Sequence, residues 1–310
     1  MVVGIPTEIT SNETRVAVIP TTVKELVKKG FVVNIQAGAG RGSFISDDEY
    51  IESGANIISS AEELFSSSDL VLKVNLPEMN DKLGKHEADL MKSGSAFISF
   101  IQTTKDIDEV RKLQDNKITA FSMHLVPRTT LAQKMDALSS QASLAGYVMV
   151  MQAVNALDSV LPMMMTPAGT LKPAKVFVIG AGVAGLQAIA TAKRLGASVT
   201  AFDTRNVVAE QVQSLGAKFL EIDLGQTGET GQGYAQALTP QQMQIQQREQ
   251  AKCIADSDIV ITTAQLFGRK PPMLIDAKTV ATMKPGSVIV DMAAESGGNV
   301  QGSVVSQTII

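Results

Sequence analysis

The sequence predicts an α/β protein with two doubly wound parallel-sheet domains joined by a long helical segment. The length of 310 residues is more than one hydrophobic core usually serves. Short apolar strands alternate with amphipathic helices, and a glycine-rich turn links a strand to a helix in the second half. We expect an N-terminal α/β domain at residues 1–137 and a second domain at residues 138–310.

The first half alternates strands and helices. After a strand at 2–5, a helix is predicted at 21–29, where Val23, Leu26 and Val27 share one face and Gly30 ends the helix. The other elements expected in this half are strands at 31–36, 70–74, 95–100 and 118–121 and a helix at 106–114. This alternation predicts a parallel sheet covered on both faces.

The joining segment is the most apolar part of the chain. Residues 142–157 are interrupted by Gln152 and Asn155, and the run is shorter than the 18 or so apolar residues of a membrane-spanning helix. We interpret it as a buried helix that bridges the domains.

Composition excludes several classes of function. The net charge of −4 leaves no basic field for nucleic acid. The chain has one cysteine, Cys253, which excludes an internal disulfide. Because it has only two histidines, we do not expect a histidine-based metal site. The N-terminus has no signal-peptide pattern, so a soluble chain without a metal is expected.

The second half contains a dinucleotide-binding (Rossmann) fingerprint. A strand at 175–179 runs directly into Gly180-Ala181-Gly182-Val183-Ala184-Gly185, and a helix follows to Gly196. The first glycine permits the tight turn, the second lets the backbone approach a pyrophosphate, and the third lets the helix pack on the sheet. The helix N-terminus offers N–H groups to the phosphates.

The strand after the fingerprint ends at Asp203, the position of the residue that binds the adenosine ribose in such domains. A carboxylate there favours NAD over NADP, although Arg205 could accommodate a 2′-phosphate. With Thr204 between them, these residues complete the expected adenosine side of the site.

The second domain continues with a helix through Val208 and Leu215, strands at 218–221, 259–263 and 287–291, and a helix at 237–253. The glycine- and glutamine-rich residues 223–250 are either a mobile lid that closes with Tyr234 or a tolerated surface insertion. Because ligands bind at the carboxyl ends of parallel strands, Ala264, Gln265 and residues 293–298 are expected on the nicotinamide side.

A polar segment precedes this domain. Arg128, Gln133, Asp136 and Ser139 place a cation, an amide, a carboxylate and a hydroxyl within a short stretch. These groups could hold the nicotinamide end of a dinucleotide, and a polar loop without function is the alternative.

Nearly the whole chain resembles the NAD(H)-binding domain I, from the alpha subunit, of proton-translocating NAD(P) transhydrogenase, in the alanine dehydrogenase/transhydrogenase superfamily. The stretches that carry the resemblance are residues 4–6, 12–17, 72–75, 128–140, 173–175, 180–185, 283–291 and 297–298. The family normally continues through another strand and a helix that returns to the first domain, and residues 301–310 do not resemble that continuation.

The resemblance implies a Re/Si-specific transhydrogenase component that is not active alone. Gln133 would bond toward the partner's nucleotide, Arg128 and Asp136 would orient the dihydronicotinamide, and Ser139 would support them. Tyr234 would be the mobile-loop tyrosine. The implied partners are an NADP(H)-binding domain on the beta subunit, a membrane domain, and a second copy in a homodimer. The implied location is peripheral, at the cytoplasmic or mitochondrial matrix face of the proton-coupling membrane.

Two other functions stay open on the sequence. Arg15 and Lys73 resemble substrate-site positions of alanine dehydrogenase, but Gln102 stands where that enzyme has a histidine, and Glu295 where it has an aspartate. Since glutamine cannot transfer protons, we interpret Arg15 and Lys73 as structural ion-pair residues. A non-catalytic NAD-binding regulatory protein is the third possibility, and the complete polar segment argues against it.

Overall fold

The computed structural model describes residues 1–127, 129–225, 227, 236, 238–265 and 270–310. The chain divides into two compact units, Met1–Pro127 and Arg128–Ile310. Each unit contains one main parallel sheet, so the predicted α/β class with two parallel sheets is confirmed.

The first unit is a six-stranded parallel sheet in the order β3-β2-β1-β4-β7-β8, with a small antiparallel hairpin, β5-β6. Its strands are β1 Val2–Ile5, β2 Val32–Gln36, β3 Asn56–Ile58, β4 Leu70–Leu72, β5 Met79–Asn80, β6 Lys85–His86, β7 Ala96–Ser99 and β8 Thr119–Ser122. Its helices are α1 Pro20–Lys28, α2 Asp47–Glu52, α3 Ala61–Ser67, α4 Glu87–Leu90 and α5 Ile107–Asp115.

The predicted strands of this unit are all present, and the structure adds short elements between them that the sequence pattern does not reveal. The core is apolar on alternate strand positions, for example Val3, Ile5, Val33 and Ile35. The additional strand β3 has only three residues and lies at the sheet edge. Strands this short show little alternation of apolar and polar residues, because at least four residues are needed to recognise that pattern.

The second unit is a five-stranded parallel sheet in the order β13-β12-β11-β14-β15, with an antiparallel hairpin, β9-β10. Its strands are β9 Met164–Thr166, β10 Gly169–Leu171, β11 Lys175–Ile179, β12 Ser198–Phe202, β13 Lys218–Phe219, β14 Ile259–Thr262 and β15 Val288–Asp291. Its helices are α6 Ala137–Ala156, α7 Val183–Arg194, α8 Ala209–Ser214, α9 Pro240–Asp256 and α10 Ala277–Val280. The strand order reverses between β11 and β14, which is where such sheets open a crevice for ligands.

The apolar segment predicted at 142–157 forms most of α6, from residue 142 to the end of the helix and its C-cap residue Leu157. This helix packs on α7 at Gly146, where a Cβ would overlap the carbonyl oxygen of Ala184. Its buried positions include Met149, Val150 and Ala153, whereas Leu144, Tyr147 and Val148 are exposed, so only part of its surface is buried. In the described part of the chain, no helix has the length and apolarity to cross a membrane.

Helix α9 begins at Pro240 rather than at residue 237. Thr239 caps it: its side chain accepts a hydrogen bond from the Gln242 N–H, and the Gln242 side chain accepts from the Thr239 N–H in return. Proline at the first helical position reinforces that start, because its missing N–H would have no partner there.

Candidate nucleotide site

The fingerprint forms a tight turn between β11 and α7. Gly180 has a φ of +101°, in the region that favours glycine. A Cβ on Gly185 would overlap the Gly180 carbonyl oxygen, whereas a Cβ on Gly182 would meet nothing within 4 Å. The first and third glycines are therefore required by the turn and its packing, and Gly182 presents an open face.

No side chain caps the N-terminus of α7. Gly182 is the N-cap residue and makes no side-chain cap hydrogen bond. Val183, Ala184 and Gly185 form the first turn of the helix, of which Ala184 and Gly185 are buried. An open, uncapped helix end beside a glycine with free space suits a phosphate, because the helix dipole favours negative charge there.

Asp203 is joined to the fingerprint turn and to Arg205. Its Oδ2 accepts a hydrogen bond of 2.7 Å from the Ala181 N–H. The Arg205 backbone and guanidinium donate further bonds of 2.9 to 3.0 Å, and Asp203 is 7% exposed. Asp203, the residue predicted to bind the ribose, thus lies beside the fingerprint turn, and its carboxylate is bonded to the neighbouring Arg205.

The polar segment brings two of its predicted residues into contact. Asp136 caps α6: its Oδ1 accepts from the Ser139 N–H at 2.8 Å, and its Oδ2 accepts from the Ser139 hydroxyl at 2.6 Å. Gln133 lies in a short 3-10 turn, Gln133–Met135, and is exposed. Arg128 lies outside the described residues.

Residues 226, 228–235 and 237 of the segment predicted as a lid or an insertion lie outside the described residues, and Tyr234 is among them. Residues 240–250 of the same segment belong to α9. Hydrogen bonds of its described residues tie the segment to its surroundings. The Thr227 hydroxyl donates to the Thr204 carbonyl oxygen at 2.7 Å, and the Gln242 side chain donates to the Leu224 carbonyl oxygen at 2.8 Å. The first bond links the segment to Thr204, one of the residues predicted on the adenosine side.

The carboxyl end of β14 lies next to the fingerprint turn, and β15 pairs with β14 on the side away from β11. The Thr263 hydroxyl donates to the Gly180 carbonyl oxygen at 3.1 Å. Ala264 is half-buried and Gln265 is exposed. Asp291 and Asn299 hold this edge together, and neither is among the predicted site residues. The sequence marks Asp291 only as the end of a strand, and an asparagine after two glycines reads as ordinary loop chemistry.

In the first unit, Arg15 and Lys73 are both in ion pairs, as predicted. Arg15 bonds to Glu13 at 2.7 Å. The Lys73 ammonium is fully buried, pairs with Glu87, and lies 3.8 Å from Glu8. Gln102 is exposed, and its backbone N–H donates to Asp106.

The two buried carboxyls make stability depend on pH. Burial raises the pKa of Glu8 and of Glu87, although Lys73 acts in the opposite direction. A carboxyl with a raised pKa stabilises the fold fully below its ordinary value of 4.5, and that contribution is lost as the pH rises through the raised value.

We therefore expect Glu8→Gln to gain stability relative to wild type as the pH is raised from about 5 to about 8. Urea unfolding of both proteins across this range measures the difference in unfolding free energy. Glu62→Gln is the control, because Glu62 pairs with Lys85 at an exposed position, where pairs contribute about 0–1 kcal/mol. A Glu8→Gln difference that does not change with pH would contradict the assignment.

Among the described residues, no group of three or more His, Cys, Asp or Glu side chains is arranged to hold a metal ion.

Two family models match the chain in tandem. Residues 4–145 match the alanine dehydrogenase/PNT N-terminal domain, and residues 149–309 match the C-terminal domain of the same name.

Curated relatives agree with these matches. An alpha-subunit polypeptide of the NAD(P) transhydrogenase of Rhodospirillum rubrum is 46% identical over 96% of this chain and 78% of its own length. The NAD(P) transhydrogenase subunit alpha of Haemophilus influenzae is 44% identical over 96% of this chain, which spans 57% of that longer protein.

Two solved structures are similar to the chain over nearly its whole length. A transhydrogenase from Sinorhizobium meliloti superposes with a TM-score of 0.85 at 43% identity, over 98% of this chain and 81% of that one. An L-alanine dehydrogenase gives a TM-score of 0.80 at 26% identity, over 99% and 78%. The fold is shared by both, and the sequence is closer to the transhydrogenase.

Proposed function

The chain belongs to the alanine dehydrogenase/PNT family, and from that membership we propose that it is the NAD(H)-binding component of an NAD(P) transhydrogenase. The observation that carries the proposal is the 46% identity to a transhydrogenase alpha subunit over 96% of the chain. The fingerprint turn supports it, because its open glycine and uncapped helix end suit a dinucleotide pyrophosphate.

The proposed reaction is the transfer of a hydride from C4 of NADH to C4 of NADP⁺ on a separate domain, which yields NAD⁺ and NADPH. This chemistry requires no proton exchange with a side chain, so the protein contributes position and orientation. The absence of a titratable side chain at position 102 is consistent with it.

We assign roles in the polar segment accordingly. The exposed Gln133 bonds toward the nucleotide of the partner domain. Asp136 and Arg128 orient the dihydronicotinamide, and Ser139 holds Asp136 through its hydroxyl and its N–H. Ala264 and Gln265 line the nicotinamide side, and Tyr234 closes over the cofactor.

The remaining parts of the proposal concern partners and place. The NADP(H) site lies on a beta-subunit domain, and a membrane domain couples the reaction to proton translocation. The chain acts as a homodimer, peripheral at the cytoplasmic or mitochondrial matrix face of that membrane, and does not turn over alone.

Alanine dehydrogenase activity is the second candidate, because that fold superposes over nearly the whole chain. Two observations weigh against it. Lys73 is enclosed with two glutamates, and the residue at position 102 cannot titrate. A free lysine and a positioned acid or base would both be needed for oxidative deamination.

One experiment separates the candidates. The chain is mixed with a transhydrogenase NADP(H)-binding domain, NADH and an NADP analogue, and reduction of the analogue is followed by stopped-flow absorbance. We expect fast reduction without any amino acid. NADH formation from NAD⁺ and alanine, without analogue reduction, would establish the dehydrogenase instead. NADH binding with neither reaction would indicate a binding-only regulatory protein.

The choice of NAD over NADP depends on Asp203 in this proposal. The four donors of Ala181 and Arg205 already occupy its carboxylate, so the ribose hydroxyls must replace part of the guanidinium's bonds. A carboxylate accepts about four hydrogen bonds. Asp203 would therefore exchange its arginine for the ribose when NAD(H) binds.

We expect Asp203→Ala to weaken NADH binding about tenfold, since a hydrogen bond to a charged group contributes about 1.5–3 kcal/mol. The same change removes a negative charge from beside the ribose position, so the affinity for NADPH relative to NADH should rise. Fluorescence titration with both nucleotides measures the ratio. Asp203→Asn keeps an oxygen that can accept from the Ala181 N–H, so its affinity ratio should lie between those of wild type and Asp203→Ala. An unchanged ratio would contradict this role.

A further inference from the structure

Asp291 gathers the loop that follows the last strand. Its side chain sits opposite Thr262 in the parallel β14–β15 register. Oδ1 accepts from the Thr262 hydroxyl at 3.1 Å and from the Ala293 N–H at 2.9 Å. Oδ2 accepts from the N–H groups of Asn299 and Val300, at 2.8 and 3.1 Å, and from a serine hydroxyl further along. One carboxylate thus fixes both ends of the loop at 293–299.

Asn299 fixes a second loop, of which residues 264–265 and 270–275 are described. Its Nδ2 donates to the carbonyl oxygens of Ala264 and Pro272, at 3.0 and 2.9 Å. The backbone carbonyl oxygen of Asn299 accepts from the N–H groups of Leu274 and Ile275. The side chain therefore ties Ala264, which adjoins Gln265, to Pro272.

Burial of the Asn299 side-chain amide has a cost in stability. The residue is 0% exposed, and its Oδ1 has no hydrogen-bond partner in the described part of the chain. Burying an unpaired amide oxygen destabilises a protein. The bonds from Nδ2 give a reason for an asparagine here.

The two loops touch each other and lie beside the fingerprint. A Cβ on Gly297 would meet the Lys270 side chain at 2.9 Å, so the lysine packs over that glycine. Gly297 and Gly298 have φ values of +112° and +78°, which favour glycine and turn the chain sharply. Thr263, next to Ala264, bonds to the Gly180 carbonyl oxygen. Asn299 and Asp291 thus set the position of both loops relative to the fingerprint turn.

We propose that Asn299, held by Asp291, is a positioning residue for the nicotinamide half of bound NAD(H). The inference rests on the proposed function, which makes this edge of the sheet the nicotinamide side of the site. Asn299 acts through the two loops and does not contact the nucleotide. Its substitution should affect the nicotinamide half and spare the adenosine and pyrophosphate half.

The test compares two ligands by calorimetry: NADH, and ADP-ribose, which lacks the nicotinamide. Asn299→Asp places a carboxylate oxygen against two carbonyl oxygens. We expect NADH affinity to fall about tenfold, because the loops on the nicotinamide side are no longer held in place for binding, and ADP-ribose affinity to stay within about twofold. Asn299→Ala removes the donor without adding charge and provides the same comparison if the aspartate variant does not fold.

The matched control is Gln301→Ala. Gln301 Oε1 accepts from the Ala277 N–H at 2.9 Å, so it holds the same segment against α10 and away from the site. We expect this variant to bind both ligands as wild type does. Thermal unfolding of each variant, run in parallel, reports any general loss of stability.

Equal losses for NADH and ADP-ribose, or no loss for either, would overturn the inference. The readout is binding, so it is separate from catalysis. A wild-type chain that binds NADH but donates no hydride overturns the proposed function, while the ratio of the two affinities still decides the role of Asn299. A wild-type chain that binds neither ligand overturns both.

Discussion

Replacing Gln133 with alanine is expected to slow hydride transfer to the partner's NADP⁺ by roughly 100-fold, because a misplacement of about 1 Å between reactants has that effect on rate. NADH affinity should stay within about twofold, since Gln133 faces the partner's nucleotide in the proposal. The side chain is exposed and bonds to no residue in the described part of the chain, so the fold should be unaffected. Single-turnover stopped-flow kinetics and an NADH titration measure the two quantities.

The neighbouring Lys134→Ala is the control for this prediction. Lys134 lies in the same exposed 3-10 turn, and its substitution should change neither the rate nor the affinity. Equal losses of rate and NADH affinity in Gln133→Ala would contradict the proposed division of roles. They would place Gln133 in the NADH site itself.

Gly185→Ala is expected to destabilise the fold, whereas Gly182→Ala is expected to weaken NADH binding. The new methyl at 185 would overlap the Gly180 carbonyl oxygen, so we expect the second unit to lose about 3 kcal/mol or more of stability. The methyl at 182 meets open space and a φ of −78°, which alanine adopts without strain. It should leave stability unchanged and weaken NADH binding about 10- to 100-fold, because it would occupy the position of a closely bound pyrophosphate.

Thermal unfolding and NADH titration of the two alanine variants provide the comparison. Each glycine serves as the control for the other, since both changes add one methyl group within the same turn. A stable Gly182→Ala variant that binds NADH normally would show that the pyrophosphate does not approach this turn.

The fold was largely predictable because its strands are long and apolar enough to show their pattern. The strand at Lys175–Ile179 is buried from its second residue onward, and the fingerprint follows it directly. Its first and third glycines have steric requirements that any sequence with this turn must meet. The short strands β3, β5 and β6 lacked such signals, because their partners rather than their composition place them.

The candidate site was predictable where a residue sits in a local motif. Asp136 and Ser139 are three residues apart, which is the spacing of a helix cap, and they bond to each other. Asn299 could not be predicted in the same way. Its two side-chain bonds reach Ala264 and Pro272, far away in sequence, and only the folded chain brings those carbonyl oxygens together.

Isotopic labelling follows the transferred hydrogen itself, so it tests whether NADH held on this chain donates its hydride directly. NADH carrying deuterium at both C4 positions is mixed with the chain, an NADP(H)-binding domain and NADP⁺ in ordinary water. Mass spectrometry then reads the NADPH formed. We expect one deuterium in each product molecule, with none exchanged for solvent hydrogen. Product that carries solvent hydrogen in place of deuterium, or no NADPH at all, would contradict direct hydride transfer.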